Sequence, residues 1–252
     1  MTTTTSVNEG VGEIVINNPP LNILTREVMR ELRGELAVLR DENSLRVLIL
    51  RSEGKHFSAG ADVGEHLPPE YEAMIPEFIE TIGAVDSFPL PVIAAVRGRC
   101  LGGGFELIQP ADFTIASEQA QFGQPEIMLG VLPPAACALL PQICVPNVAA
   151  EIVFTGDAID AAQAAAFGLV WKVVADDRVE ATALELAKRI ARHSGAALRN
   201  TKRALREATA PARAHALHRA GRIYVDELMK TRDALEGLKA FTEKRKVEWK
   251  HE

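Results

Sequence analysis
The sequence predicts an α/β fold on three observations: short apolar runs of strand length, amphipathic stretches of helix length between them, and glycine-rich loops where the apolar runs end. Val11 to Asn17 reads as a strand. Thr25 to Arg40 reads as an amphipathic helix, with the Thr25 hydroxyl at its N-cap as acceptor for the first free amides. Arg46 to Arg51 and Val92 to Val96 are almost wholly apolar, and strands of that kind lie in sheets covered by helices on both faces. Between them a helix is expected from Pro69 to Asp86. The second apolar strand runs out into the small-residue loop Lys55 to Asp62. The third passes Gly98 into Gly102-Gly103-Gly104 and a short helix, and Asp112 to Ala116 is the next strand. In such sheets ligands gather at the carboxyl ends of the strands, which singles out the loops Lys55–Asp62 and Arg97–Gly104.

Beyond Pro146 the chain turns Ala-, Arg- and Glu-rich. One strand, Leu169 to Val174, is expected, followed by helices over Val179–His193, Gly195–Glu207, Pro211–Met229 and Thr231–Lys244. This tail lacks the apolar density for a core of its own and should pack on the first body or on another subunit. The division falls between a core of residues 1–195 and a helical region of residues 196–252.

Composition narrows the function. A net charge of −6 opposes a nucleic-acid surface, leaving Lys188 to Arg222 as the one basic stretch. Cys100, Cys137 and Cys144 cannot all pair within one chain and lack zinc-site spacing, so buried thiols in a reducing compartment are expected, with no metal. The threonine-rich start has no basic-then-apolar signal pattern, and no apolar run reaches membrane length, so a cytoplasmic protein without membrane or nucleic-acid partners is expected.

Chemistry concentrates in Gly102-Gly103-Gly104-Phe105-Glu106 and Phe122-Gly123-Gln124-Pro125-Glu126. Backbone amides freed by glycine can hold an oxyanion, and two carboxyls facing one substrate can move protons and a water. The plain readings are close packing for the glycines and solvated charges for the glutamates. No GxSxG, HExxH, GxxxxGK[ST] or GxGxxG pattern competes. His56, beside a candidate loop, is read as structural.

Several segments in order resemble the enoyl-CoA hydratase/isomerase, or crotonase, superfamily over nearly the whole chain: Leu21-Asn22-Ile23-Leu24, Phe57 to Asp62, Gly98 to Leu107, Phe122 to Glu126 with Leu129-Gly130, and Ala240 to Lys246. The resemblance implies a ββα-repeat spiral core, a C-terminal helical trimerisation region, and a homotrimer or homohexamer. It implies an acyl-CoA thioester substrate, with no cofactor beyond the coenzyme A that the substrate carries. The implied oxyanion hole is the N–H groups of Ala61 and Gly103. Glu126 would act as the acid at the α-carbon and Glu106 as the base for water, with one carboxyl pushed up by its neighbour so that the pair holds one proton. Leu24, Ala59, Asp62 and Val63 match coenzyme A contacts, and Phe241 and Lys244 match residues supplied across a subunit boundary, Lys244 having a solvated helix charge as its alternative. Pro19-Pro20 stands where the family often has a basic residue, so one phosphate contact is in doubt.

Pro133-Pro134-Ala135-Ala136 departs from the usual continuation after the second glutamate. Pro134 has no N–H, so a backbone donor to Glu126 or its water is expected to be missing. With Glu65-His66-Leu67-Pro68, this pattern resembles hydratases of cyclic dienoyl-CoA thioesters such as cyclohexa-1,5-diene-1-carbonyl-CoA. His66 is a candidate for the acyl pocket or a plain surface-loop histidine. A linear 2-enoyl-CoA substrate, a Δ3,Δ2-enoyl-CoA isomerase, an acyl-CoA hydrolase, and an RNA-binding or scaffolding protein of the same fold are the alternatives.

Overall fold
The computed structural model describes residues 2–251; Met1 and Glu252 lie outside the described residues. In chain order the strands are β1 (Thr3–Asn8), β2 (Val11–Ile16), β3 (Val47–Ser52), β4 (Val92–Val96), β5 (Arg99–Leu101), β6 (Phe113–Ser117), β7 (Gln121–Gly123), β8 (Ile159–Asp160) and β9 (Lys172–Val174). The α-helices are α1 (Arg26–Arg40), α2 (Tyr71–Asp86), α3 (Gly103–Ile108), α4 (Pro134–Ile143), α5 (Pro146–Thr155), α6 (Ala161–Ala166), α7 (Val179–Ala191), α8 (Gly195–Arg206), α9 (Ala210–Arg222) and α10 (Arg232–Thr242).

The main sheet has the order β1-β2-β3-β4-β6-β9, parallel except for the β1–β2 hairpin. Side-chain alternation explains the continuous apolar strands. Ile14, Leu48, Leu50, Val92, Ala94 and Val96 join the core under α1 and α2, while Val47, Ile49, Ile93, Ala95 and Ile115 pack with Val179, Ala183, Leu186 and Ala187 of α7. A second sheet, β5-β7-β8, is joined by Ser58 through an isolated bridge to Cys100.

Successive turns of chain therefore repeat one path: β3, Ser58, α2; then β4, β5, α3; then β6, β7, α4. Each turn adds to the large sheet, then to the small one, then a helix, which is the expected ββα spiral. The repeat matters because it brings the loops after Ser58, β5 and β7 to one cavity.

Three elements differ from expectation. The opening threonines form β1, because β-branched residues fit a pleated edge and the turn at Glu9-Gly10, with φ of 51° and 80°, folds them back on β2. Only Lys172–Val174 of the expected Leu169–Val174 strand pairs, since the Leu169 and Val170 amides donate to the Ala164 carbonyl and close α6. The helix expected from Pro211 to Met229 ends as α9 at Arg222 and continues through a π turn, Ile223–Glu227, and a 3₁₀ turn, Leu228–Lys230.

The helical tail folds back on its own chain: Leu217, Ala220, Tyr224, Met229, Ala234 and Leu238 belong to the main core. Cations of the basic stretch turn inward. Lys202 Nζ meets Asp112 at 2.7 Å, Arg206 meets Asp86 at 2.7 Å and Asp112 at 2.9 Å, and Arg213 also pairs with Asp86.

Candidate active site
The loop after β3 is pinned from both sides. Asn22, at φ 51°, donates from Nδ2 to the carbonyls of Glu53 and His56, both at 2.8 Å, while the Ala59 amide donates to Leu21 and the Ser58 amide to Arg99. Leu24 then forms a parallel bridge with Ala61: its N–H donates to Gly60 and its carbonyl accepts from Asp62. A parallel bridge uses the amides flanking Ala61, so the Ala61 N–H turns to the other side. It has no acceptor among the described residues, and neither does the N–H of Gly103, the first residue of α3. The two amides are neighbours, since a Cβ on Gly103 would stand 3.1 Å from the Ala61 nitrogen. His56 is structural, accepting from the Arg99 amide through Nδ1 at 3.1 Å.

Both free amides face a cavity of about 420 Å³. Ala59, Ala61, Val63, His66, Gly103, Glu106, Glu126, Pro134 and Phe241 all line it. Leu24, Asp62 and Lys244 lie outside the lining: Leu24 is buried behind the loop, the Asp62 carbonyl accepts from His66 Nδ1 at 2.7 Å, and Lys244 is exposed in a left-handed conformation past α10. Phe241 lines the cavity of its own chain, where the resemblance implied a residue delivered across a subunit boundary.

Glu106 comes from α3 and Glu126 from a 3₁₀ turn, Pro125–Leu129. Gly102, at φ 51°, lets the second approach the first loop: a Cβ there would lie 2.6 Å from Glu126 Oε1. As expected from Pro134, no amide of this segment donates to Glu126 among the described residues. Pro134 opens α4, a position whose N–H has no helical partner in any case, and the next two amides, Ala135 at 2.7 Å and Ala136 at 2.9 Å, donate to Oε1 of Glu106. The helix start thus serves the first glutamate and not the second.

This asymmetry sets the electrostatics. Burial drives the Glu106 carboxyl up, to about 7, against the two amides that favour its charge. Burial drives Glu126 further above the usual carboxylate range, the Glu106 charge adds to that, and its Oε2 is enclosed with no hydrogen-bond partner among the described residues. Two like charges in one buried site cannot both form readily, so as pH rises through about 7 Glu106 ionises while Glu126 keeps its proton.

The rest of the wall was not read from sequence. Met74, Ile75 and Phe78 of α2, with Met128, Leu129, Val131 and Leu132, make the cavity mostly apolar. The apolar spacing Met74–Phe78 was visible, but a stripe of that kind serves a core equally well.

The family model described as enoyl-CoA hydratase/isomerase matches residues 6–252. The chain is 37% identical over 233 residues to cyclohexa-1,5-dienecarbonyl-CoA hydratase of Thauera aromatica, covering 92% of this chain and 90% of that one. It is 38% identical over 244 residues to a probable enoyl-CoA hydratase of Rhizobium meliloti, covering 96% and 95%. A solved enoyl-CoA hydratase/isomerase of Pseudoalteromonas atlantica superposes with a TM-score of 0.91 at 29% identity, over 99% of this chain and 100% of that one. Sequence and fold agree along the whole length, and the chain belongs to the enoyl-CoA hydratase/isomerase family.

Proposed function
We propose that this chain is an enoyl-CoA hydratase, adding water across the conjugated double bond of an acyl-CoA thioester. The observation that carries this reading is the meeting of two differently supported carboxyls and two unpaired amides on one mostly apolar cavity, whose size suits a small-molecule site. The thioester oxygen accepts from the Ala61 and Gly103 amides. Glu106, ionised and held by α4, takes a proton from water as the water oxygen bonds to the β-carbon and the π electrons move onto the thioester oxygen. Glu126 then gives its proton to the α-carbon. The two carboxyls end with their proton exchanged, and one transfer between them restores the starting state.

The named activity of the Thauera relative and the Pro133-Pro134-Ala135-Ala136 segment, whose amides hold Glu106, support a cyclic dienoyl-CoA as substrate. Ala59 and Val63 on the cavity wall, Leu24 and Asp62 behind it, and Phe241 and Lys244 at the tail are assigned to the coenzyme A path on the same reading. We assign a homotrimer or homohexamer. Cysteines without disulfide partners support a cytoplasmic location, and no described helix is long and apolar enough to cross a membrane.

The test is a panel of crotonyl-CoA, a long-chain 2-enoyl-CoA and cyclohexa-1,5-diene-1-carbonyl-CoA, followed by loss of the conjugated thioester absorbance. Fastest turnover of the cyclic diene is expected. Release of free thiol would indicate hydrolysis instead, and inactivity on all three would remove the hydratase reading.

A further inference from the structure
Tyr224 stands apart from the machinery described so far. It lies in the π turn Ile223–Glu227, and such turns, which add a residue to a helical path, recur at functional sites. The side chain is 1% exposed, yet its hydroxyl has no hydrogen-bond partner among the described residues. A buried hydroxyl in that state is costly, and phenylalanine would fill the same ring volume without the cost. The ring packs 6.1 Å from that of His66, which lines the cavity. His66 presents no proton toward it. Burial keeps the imidazole neutral, and because Nδ1 faces the Asp62 carbonyl, its one N–H sits there and Nε2 is left as an acceptor. Other enclosed, unpartnered polar atoms include Oε2 of Glu126, close enough for its charge to act on the Tyr224 hydroxyl, and the side-chain amide of Gln124.

We propose that Tyr224 is a positioning residue for the carboxyl pair, its hydroxyl donating through one bound water to Oε2 of Glu126. Burial, then Glu126, then Glu106 push the phenol far above its usual range, as nearby carboxylates do, so it stays a donor at every working pH. By favouring charge on Glu126, this donor keeps the acid from becoming too weak to release its proton. The consequence for turnover rests on the hydratase reading; the placement of the donor does not.

The groups facing the pair are Glu106 of α3, Glu126 of the 3₁₀ turn, His66 of the loop after β3, Cys137 of α4 and Tyr224. His66 titrates below its usual 6.5, and Cys137 is pushed up to about 12 by burial and the two carboxylates. A titration between those limits therefore belongs to the carboxyl pair. Protein labelled with carbon-13 at the glutamate side-chain carboxyls, with resonances assigned from Glu106→Gln and Glu126→Gln, reads that titration directly. In Tyr224→Phe the upper step of the pair should move to higher pH by about half to one unit, and kcat should fall roughly tenfold with KM unchanged. A role in packing alone would alter the melting temperature without moving the pair. Unchanged titration and unchanged kcat would overturn the proposal. If the wild type hydrated none of the thioesters, the hydratase reading would fail while the carboxyl titration still decided on Tyr224.

Discussion
Two clusters of buried and half-buried acids sit in this molecule under opposite rules. Asp86 and Asp112, where α2 and β6 meet the tail, are surrounded by Lys202, Arg206 and Arg213; burial opposes the charge on Asp112, but the cations outweigh it and hold its carboxyl below the usual value. Among the described residues Glu106 and Glu126 have no cation beside them, only each other and the two backbone amides on Glu106, and both are driven up. The first cluster ties α8 and α9 to the sheet. The second holds a proton ready to move and makes the fold less stable at neutral pH. Burial alone does not decide what an acid does; the charge supplied beside it does.

The comparison can be broken at either end. The largest effect is expected from Glu126→Gln, which should lower hydration by about 10²–10⁴ while acyl-CoA affinity survives, measured by steady-state turnover and by binding of a saturated acyl-CoA. Retained turnover would show that the raised carboxyl is not the acid. In the other cluster, Asp86→Ala strands Arg213 and leaves Arg206 to Asp112 and the Pro110 carbonyl, and should cost about 3 kcal/mol in denaturant unfolding, with kcat of the folded protein unchanged. A variant as stable as the wild type would mean that the Asp86 pairs do not hold the tail.

Gly103→Val should lower turnover by about 10²–10³, because even its Cβ presses on the Ala61 nitrogen at 3.1 Å and on Phe78 at 3.2 Å; a larger rise in KM than fall in kcat would place the damage in binding. The smallest effects lie in the pH dependence of stability. A raised carboxyl contributes stability below its ordinary value that is lost as pH rises through the folded value, so Glu106 should weaken the wild type between about 4.5 and 7. Glu106→Gln keeps an acceptor for the Ala135 and Ala136 amides and should recover roughly 2–3 kcal/mol at pH 8. Asp112 has the opposite sign, contributing stability above its ordinary 3.8 that is lost as pH falls, so Asp112→Asn should flatten only the acid side of the curve. Equal slopes in both variants would erase the distinction between the clusters.

Much of this was legible in local pattern. The strands from Val47 and Val92, the helix capped by Thr25, the triple glycine and both glutamates follow from periodicity, capping and composition within short windows. Thr3 to Asn8 became a strand because β2 offered a partner, which no window of six residues reveals. Pro134 shows in local sequence that Glu126 gains no donor from it, but that the next two amides meet Glu106 depends on where α4 begins and on another turn of the spiral bringing Glu106 there.

The sequence by itself determined which groups can react, since glycine, glutamate and amide chemistry is a property of residue type and near neighbours. Only the tertiary structure decided which glutamate receives the α4 amides, that Phe241 covers its own chain's cavity, and that Tyr224 is enclosed behind it. Each depends on contacts between segments far apart in the chain, and a carboxyl's charge responds to whatever folding places within a few ångströms of it.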